Sequence, residues 1–227
     1  MSRRIHAFSL ALLLTGLLAL PAKAAVSKGK DIAAGGTASG AESVFPDVAD
    51  HWSKAYVARA VELGLFGGYE DGVFRPDAAM SRAQLVTVLY RMSGSPDVAG
   101  KTPFTDISAE NAEFRRGIAW AYESGFIDGR TETVFDPSGG VTRQEAVKIL
   151  FGLSGGASGP EALLTPIYDS GFADSAEIAP WAKSAMYWAY YREIIGGETA
   201  ATLAPRRVAT RAEIAKILVN YIEEFGI

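Results

Sequence analysis

Three stretches of this chain follow one hydrophobic plan. Leu85, Val88, Leu89 and Met92 fall at i, i+3, i+4 and i+7, which predicts a helix from about Arg82 to Met92 with one apolar face. Ser81 and Gln84 stand just before this run at the spacing of a capping box, in which hydroxyl and amide each satisfy an orphan backbone donor. Thr142-Arg143-Gln144-Glu145 opens a second such helix, apolar at Ala146, Ile149, Leu150 and Leu153, and Thr210-Arg211-Ala212-Glu213 opens a third. Pro76, Pro137 and Pro205 precede the three cap residues by the same interval, and an Arg follows each cap. One capping box arises by chance; three with the same Pro and the same Arg define a triplicated unit.

Each unit begins with a shorter helical pattern. The first runs from Phe45-Pro46-Asp47 through Trp52, Val57, Ala60 and Val61 to a stop at Gly64 or Gly67-Gly68; the second from Phe104-Thr105-Asp106 through Ile118, Ala121 and Tyr122. The third runs from Phe172-Ala173-Asp174 through Trp181, Met186, Ala189 and Tyr190. Tyr69-Glu70-Asp71-Gly72 supplies turn chemistry between the two helices of the first unit. The expected organisation is a signal peptide over 1–24, a flexible leader over 25–44, and repeats over 45–103, 104–171 and 172–227, with a surface excursion between Gly152 and Gly171. Two helices and a loop cannot hide their own apolar faces, so the three units must share a core. Repeats one and three are as apolar as repeat two, which favours a pseudo-threefold cluster over a linear stack with polar ends.

Composition narrows the chemistry. Arg3 and Arg4, the apolar run from Ala7 to Leu20 and Ala22-Lys23-Ala24 read as an export signal cleaved after Ala24. Cleavage removes three basic residues, taking the net charge from −4 (22 basic, 26 acidic) to −7 (19 basic, 26 acidic). An acidic exported chain repels nucleic acid, and no later stretch is apolar for the length of a membrane span. With no cysteine, disulfides, thiolate catalysis and cysteine metal sites are excluded. Gly152-Leu153-Ser154-Gly155-Gly156 fits a nucleophile elbow by letter, but it follows a helix and not a strand. Neither cofactor nor metal is expected.

Phe-x-Asp at the start, an aromatic in the first helix, a Gly-Gly or Asp-Gly step, Phe-x-Pro and [Ser/Thr]-Arg-x-[Glu/Gln] together resemble the S-layer homology family, over essentially all of Phe45 to Phe225. The resemblance implies a mainly α spindle: three helix-loop-helix repeats in pseudo-threefold array around a central three-helix bundle. It implies non-covalent binding of bacterial cell-wall glycopolymer, of the kind ending in pyruvylated N-acetylmannosamine, in grooves between neighbouring repeats. Arg82, Arg143 and Arg211 map onto the residue that grips the pyruvate carboxylate, and a guanidinium at a helix start suits that task. Asp47, Asp106 and Asp174 map onto sugar-facing acceptors, Trp52 and Trp181 onto an aromatic platform, and Gly68, Gly129 and Gly197 onto points of close backbone approach. Removing the three arginines is expected to abolish binding and leave the fold intact.

The residues alone also allow the arginines to brace the repeats by pairing with acids, and the aspartates to start a turn. The copies depart from the family pattern. Repeat one has Ser81 and Gln84 for Thr and Glu, a change that keeps the cap. Repeat two has Glu113 and Phe114 where the others carry Trp, and Asp128 for the first Gly; repeat three has Glu193 for the helix-one Gly and Leu203 for the Phe of Phe-x-Pro. The expected function is anchoring at the cell surface through cell-wall polysaccharide, with another surface protein as a further partner, in a secreted chain associated with the wall or S-layer. Two alternatives stand beside it: an S-layer or scaffold component working through protein contacts, and an enzyme on wall glycan. No acid stands apart from the repeat pattern, which argues against the enzyme. The chain closes with the third repeat, so no cargo domain is expected.

Overall fold

The structure, a computed structural model, describes residues 45–107, 112–156 and 171–226. The expected signal peptide and leader, and most of the excursion after Gly152, lie outside them. The described residues form six α-helices and no strand: α1 Lys54–Glu62, α2 Arg82–Met92, α3 Ala112–Glu123, α4 Arg143–Leu153, α5 Lys183–Tyr191 and α6 Arg211–Phe225. No described helix is long and apolar enough to cross a membrane.

The helix predicted from Arg82 to Met92 forms over that span, and all three capping boxes are made. Ser81, Thr142 and Thr210 stand in extended backbone at the N-cap, each accepting from the third helical residue, whose side chain accepts from the cap N–H in return. The first two helical N–H groups, which a capping box leaves unmet, are satisfied by another repeat. Arg82 and Ala83 donate to the Gly139 and Pro137 carbonyls, Arg143 and Gln144 to those of Arg207 and Pro205, and Arg211 and Ala212 to those of Ala78 and Pro76. The recurring proline thus presents its carbonyl to the helix start of the preceding repeat. Repeat three donates to repeat one, so the pattern closes.

A smaller ring lies inside this one. Met80 N–H donates to the Ala209 carbonyl, Ala209 to Val141, and Val141 back to Met80, each at 2.9 Å. All three side chains are buried. The helices repeat the same cycle: α2 packs on α3, α4 on α5, and α6 on α1. A linear stack would leave α6 without that last partner.

Burial shows which helices are central. Helix α1 buries only Val57 and Ala60, as expected of an amphipathic outer helix. Helix α2 buries Arg82, Ala83 and every residue from Leu85 to Tyr90, and α6 buries nine residues distributed around its axis. A single apolar face over Leu85, Val88, Leu89 and Met92 therefore understates the coverage. The second-type helices are enclosed between their own loop and the next repeat. Gly117, which corresponds to Tyr56 of repeat one, lets α3 approach α2 closely, since a Cβ there would lie 3.0 Å from the Thr87 Cα.

Candidate functional site

Arg82, Arg143 and Arg211 begin the three central helices, and all are buried, with 8%, 5% and 6% of their surface exposed. Each reaches across to the next repeat. Arg82 donates from Nε to the Phe135 carbonyl at 3.0 Å and from Nη2 to that of Asp128 at 3.1 Å. Arg143 does the same to Leu203 and Gly196 at 2.9 and 2.8 Å, and Arg211 to Phe74 and Gly67 at 2.8 and 3.1 Å. Burial pushes all three guanidinium pKa values below their ordinary range. Bracing between repeats is therefore one role of these side chains, through backbone carbonyls more than through acids.

The three aspartates act on the loops that the arginines hold. Asp47 accepts from the N–H groups of Phe74 and Arg75 at 2.9 and 2.6 Å, and Asp106 from those of Phe135 and Asp136 at 2.9 and 2.7 Å. Asp174 accepts from Leu203 at 3.0 Å and Ala204 at 2.7 Å. The second residue of each pair has a positive φ: 59° at Arg75, 62° at Asp136 and 48° at Ala204. An L-residue held there is strained by roughly 1–2 kcal/mol, so the carboxylate pins a costly turn. The aspartate reaches some thirty residues along the chain.

The glycines sit where backbone must approach something, and that something is their own repeat. A Cβ on Gly68 would meet the Phe45 ring at 2.3 Å, one on Gly129 the Thr131 carbonyl oxygen at 2.2 Å, and one on Gly197 that of Thr199 at 2.2 Å. Each is also next to the carbonyl that the arginine takes. One arginine, one aspartate and one glycine thus converge on a single loop, three times: Arg211 with Asp47 and Gly68, Arg82 with Asp106 and Gly129, Arg143 with Asp174 and Gly197. Trp52 and Trp181 are each 54% exposed. Trp52 lies where α6 meets α1, with the Lys216 ammonium 5.9 Å from its ring. In repeat two the corresponding Glu113 pairs with Arg91 through two 2.6 Å hydrogen bonds.

The third helical residue of the second and third capped helices also faces the arginine of the preceding repeat. A Glu145 oxygen is 3.5 Å from Arg82 Nη1, and a Glu213 oxygen 3.9 Å from Arg143 Nη1. Arg130 and Arg207 contact the same glutamates by short hydrogen bonds. Superposing the repeats hides these two arginines, because Arg130 corresponds to Tyr69 and Glu198, and Arg207 to Ala78 and Gly139. Among the described residues no cluster of His, Cys, Asp and Glu is suited to hold a metal ion.

Burial pushes the Glu145 carboxyl up, but the Thr142 N–H and hydroxyl and the Arg130 guanidinium outweigh it and hold the pKa below the ordinary 4.5. Glu213 is likewise lowered: burial opposes, and Arg207 and the Thr210 N–H prevail. A carboxyl with a depressed folded-state pKa adds stability above its unfolded value, and that stability is lost as pH falls through the folded one. The urea midpoint is therefore expected to fall below about pH 4.5, and to fall less in a Glu145→Gln, Glu213→Gln variant scaled to its own neutral value. Parallel acid limbs would remove the two glutamates from the account.

The S-layer homology domain description matches this sequence at 44–86, 103–147 and 171–215. The exoglucanase XynX of Acetivibrio thermocellus is 26% identical over 79% of this chain and 16% of its own length. The surface-layer 125 kDa protein of Lysinibacillus sphaericus is 31% identical over 76% of this chain and 14% of its own length. A cellulosome-anchoring protein of Acetivibrio thermocellus is 32% identical over 57% of this chain and 30% of its own length. The chain thus spans less than a third of each of these relatives. The three matched segments take in the three capped helix starts with their arginines, and the chain belongs to the S-layer homology domain family, carrying three copies of the domain in tandem.

Proposed function

We propose that this chain is an anchoring module that works outside the cell, at the bacterial surface, by holding cell-wall glycopolymer in the grooves between its repeats. The polymer class we assign is the pyruvylated type, whose terminal carboxylate suits a guanidinium set in an apolar wall. The observation that carries the reading is the threefold recurrence of a buried arginine on the loop that Asp and Gly shape in the next repeat. The helix-start amides are taken by backbone carbonyls, so in this reading the anion is met by the arginine side chain and the helix dipole, not by free N–H groups. The relatives named for enzymes, cell-surface layers and anchoring share this part among others, and the common part is assigned to attachment, not to catalysis.

Competition tests the polymer class. Protein bound to isolated cell walls is expected to be released by a pyruvylated N-acetylmannosamine monosaccharide and not by N-acetylmannosamine. Equal release by both sugars would overturn the pyruvate assignment. The surface-layer relatives favour a second reading, in which the module also packs against copies of itself. Sedimentation at high concentration decides that point, since a strict monomer argues against it.

A further inference from the structure

The three grooves are built alike but charged differently. Around Arg82 the charged neighbours are Arg130, Glu145, Asp136 and Asp106, so two arginines meet three carboxylates and the set carries a net −1. Around Arg143 they are Arg207, Glu213, Glu198 and Asp174, again two against three. Around Arg211 they are Arg75 and Asp47, and Arg75 is itself paired with Asp71 at 2.7 Å, so two arginines meet two carboxylates and the set is neutral. Both Asp47 oxygens are already engaged by backbone N–H groups. Among the described residues no carboxylate comes within ion-pair distance of Arg211.

Part of this difference traces to one side chain. Where repeats two and three carry Glu145 and Glu213, repeat one carries Gln84. Gln84 completes its capping box, accepting from Ser81 N–H at 2.9 Å, and its amide nitrogen donates to the Tyr69 hydroxyl at 3.3 Å. It offers the groove a neutral group where the other grooves hold a carboxylate. Arg211 is also walled by aromatic faces, with its guanidinium carbon 4.5, 4.8 and 5.6 Å from the ring centres of Phe74, Tyr69 and Phe66. Apolar walls weaken solvent screening of a charge, which strengthens its pull on an incoming anion.

We propose that the groove between repeats three and one is the principal carboxylate site, and that Gln84 sets its strength by withholding the negative charge that blunts the other two. This rests on the glycopolymer reading above. A ligand carboxylate at Arg82 or Arg143 must lie beside Glu145 or Glu213, whereas the corresponding position in the Arg211 groove holds the neutral Gln84.

Calorimetric titration of the whole chain with a pyruvylated N-acetylmannosamine monosaccharide, at constant salt, tests this. One tight site per chain is expected, and Gln84→Glu should weaken it by about tenfold or more. That variant keeps the capping box, because Glu is the residue the other two repeats use, and an unchanged melting temperature checks the fold. Glu145→Gln is expected to strengthen binding at a weaker site. Three equal sites, or a Gln84→Glu variant that binds like the parent, would overturn the proposal and leave the anchoring function standing. No binding of the unmodified chain to either the sugar or intact cell walls would overturn both.

Discussion

Replacing Arg82, Arg143 and Arg211 together by alanine is expected to unfold the protein, not merely to empty its binding sites. Each arginine gives two hydrogen bonds to carbonyls of the neighbouring repeat from a buried position. Bonds from charged donors contribute about 1.5–3 kcal/mol each, and a buried carbonyl left alone costs about 1–3 kcal/mol. Each site therefore stands to lose roughly 3–6 kcal/mol, and three of them reach the ~5–15 kcal/mol that holds an ordinary domain together. The triple variant should show no cooperative thermal transition, while each single variant melts at a lower temperature than the parent. A triple variant melting within a few degrees of the parent would show the braces to be idle. The expectation from sequence, that the arginines can be removed with the fold intact, is thereby revised. A lost wall interaction in that variant would say nothing about ligand contact.

Asp174→Ala is the second large effect. The carboxylate holds the N–H groups of Leu203 and Ala204, and Ala204 sits at φ 48° with no glycine to relieve it. Losing two charge-assisted bonds and releasing a strained turn should cost about 3 kcal/mol. Adding Ala204→Gly should restore about 1 kcal/mol, since glycine takes positive φ without a Cβ penalty. Urea unfolding of the single and double variants reads both changes. Additive losses with no recovery in the double variant would separate Asp174 from the strained turn. A purely sugar-facing aspartate would leave stability unchanged.

The architecture was legible because it is periodic. Three copies of a capping box with a fixed upstream proline gave the helix starts, and the span of α2 followed from its hydrophobic spacing. What the proline does was not legible: its carbonyl serves a different repeat, more than fifty residues away, which no local pattern encodes. The ring through Met80, Val141 and Ala209 consists of backbone bonds, and their side chains read only as buried apolar residues. The arginines were found for the right spacing, yet their burial depends on the closing cycle of repeats. Arg130 and Arg207 were missed because neither has a counterpart in the other copies. Gln84 was visible as a departure that preserves the cap, but its meaning needed the arginine of repeat three beside it.

In the proposed function the closed ring of repeats forms grooves for a cell-wall glycopolymer. Cosedimentation of the protein with isolated cell walls, before and after chemical extraction of the secondary polymer, tests it most directly. Binding to intact walls that is lost on extraction is the predicted result; equal binding to intact and extracted walls would contradict it.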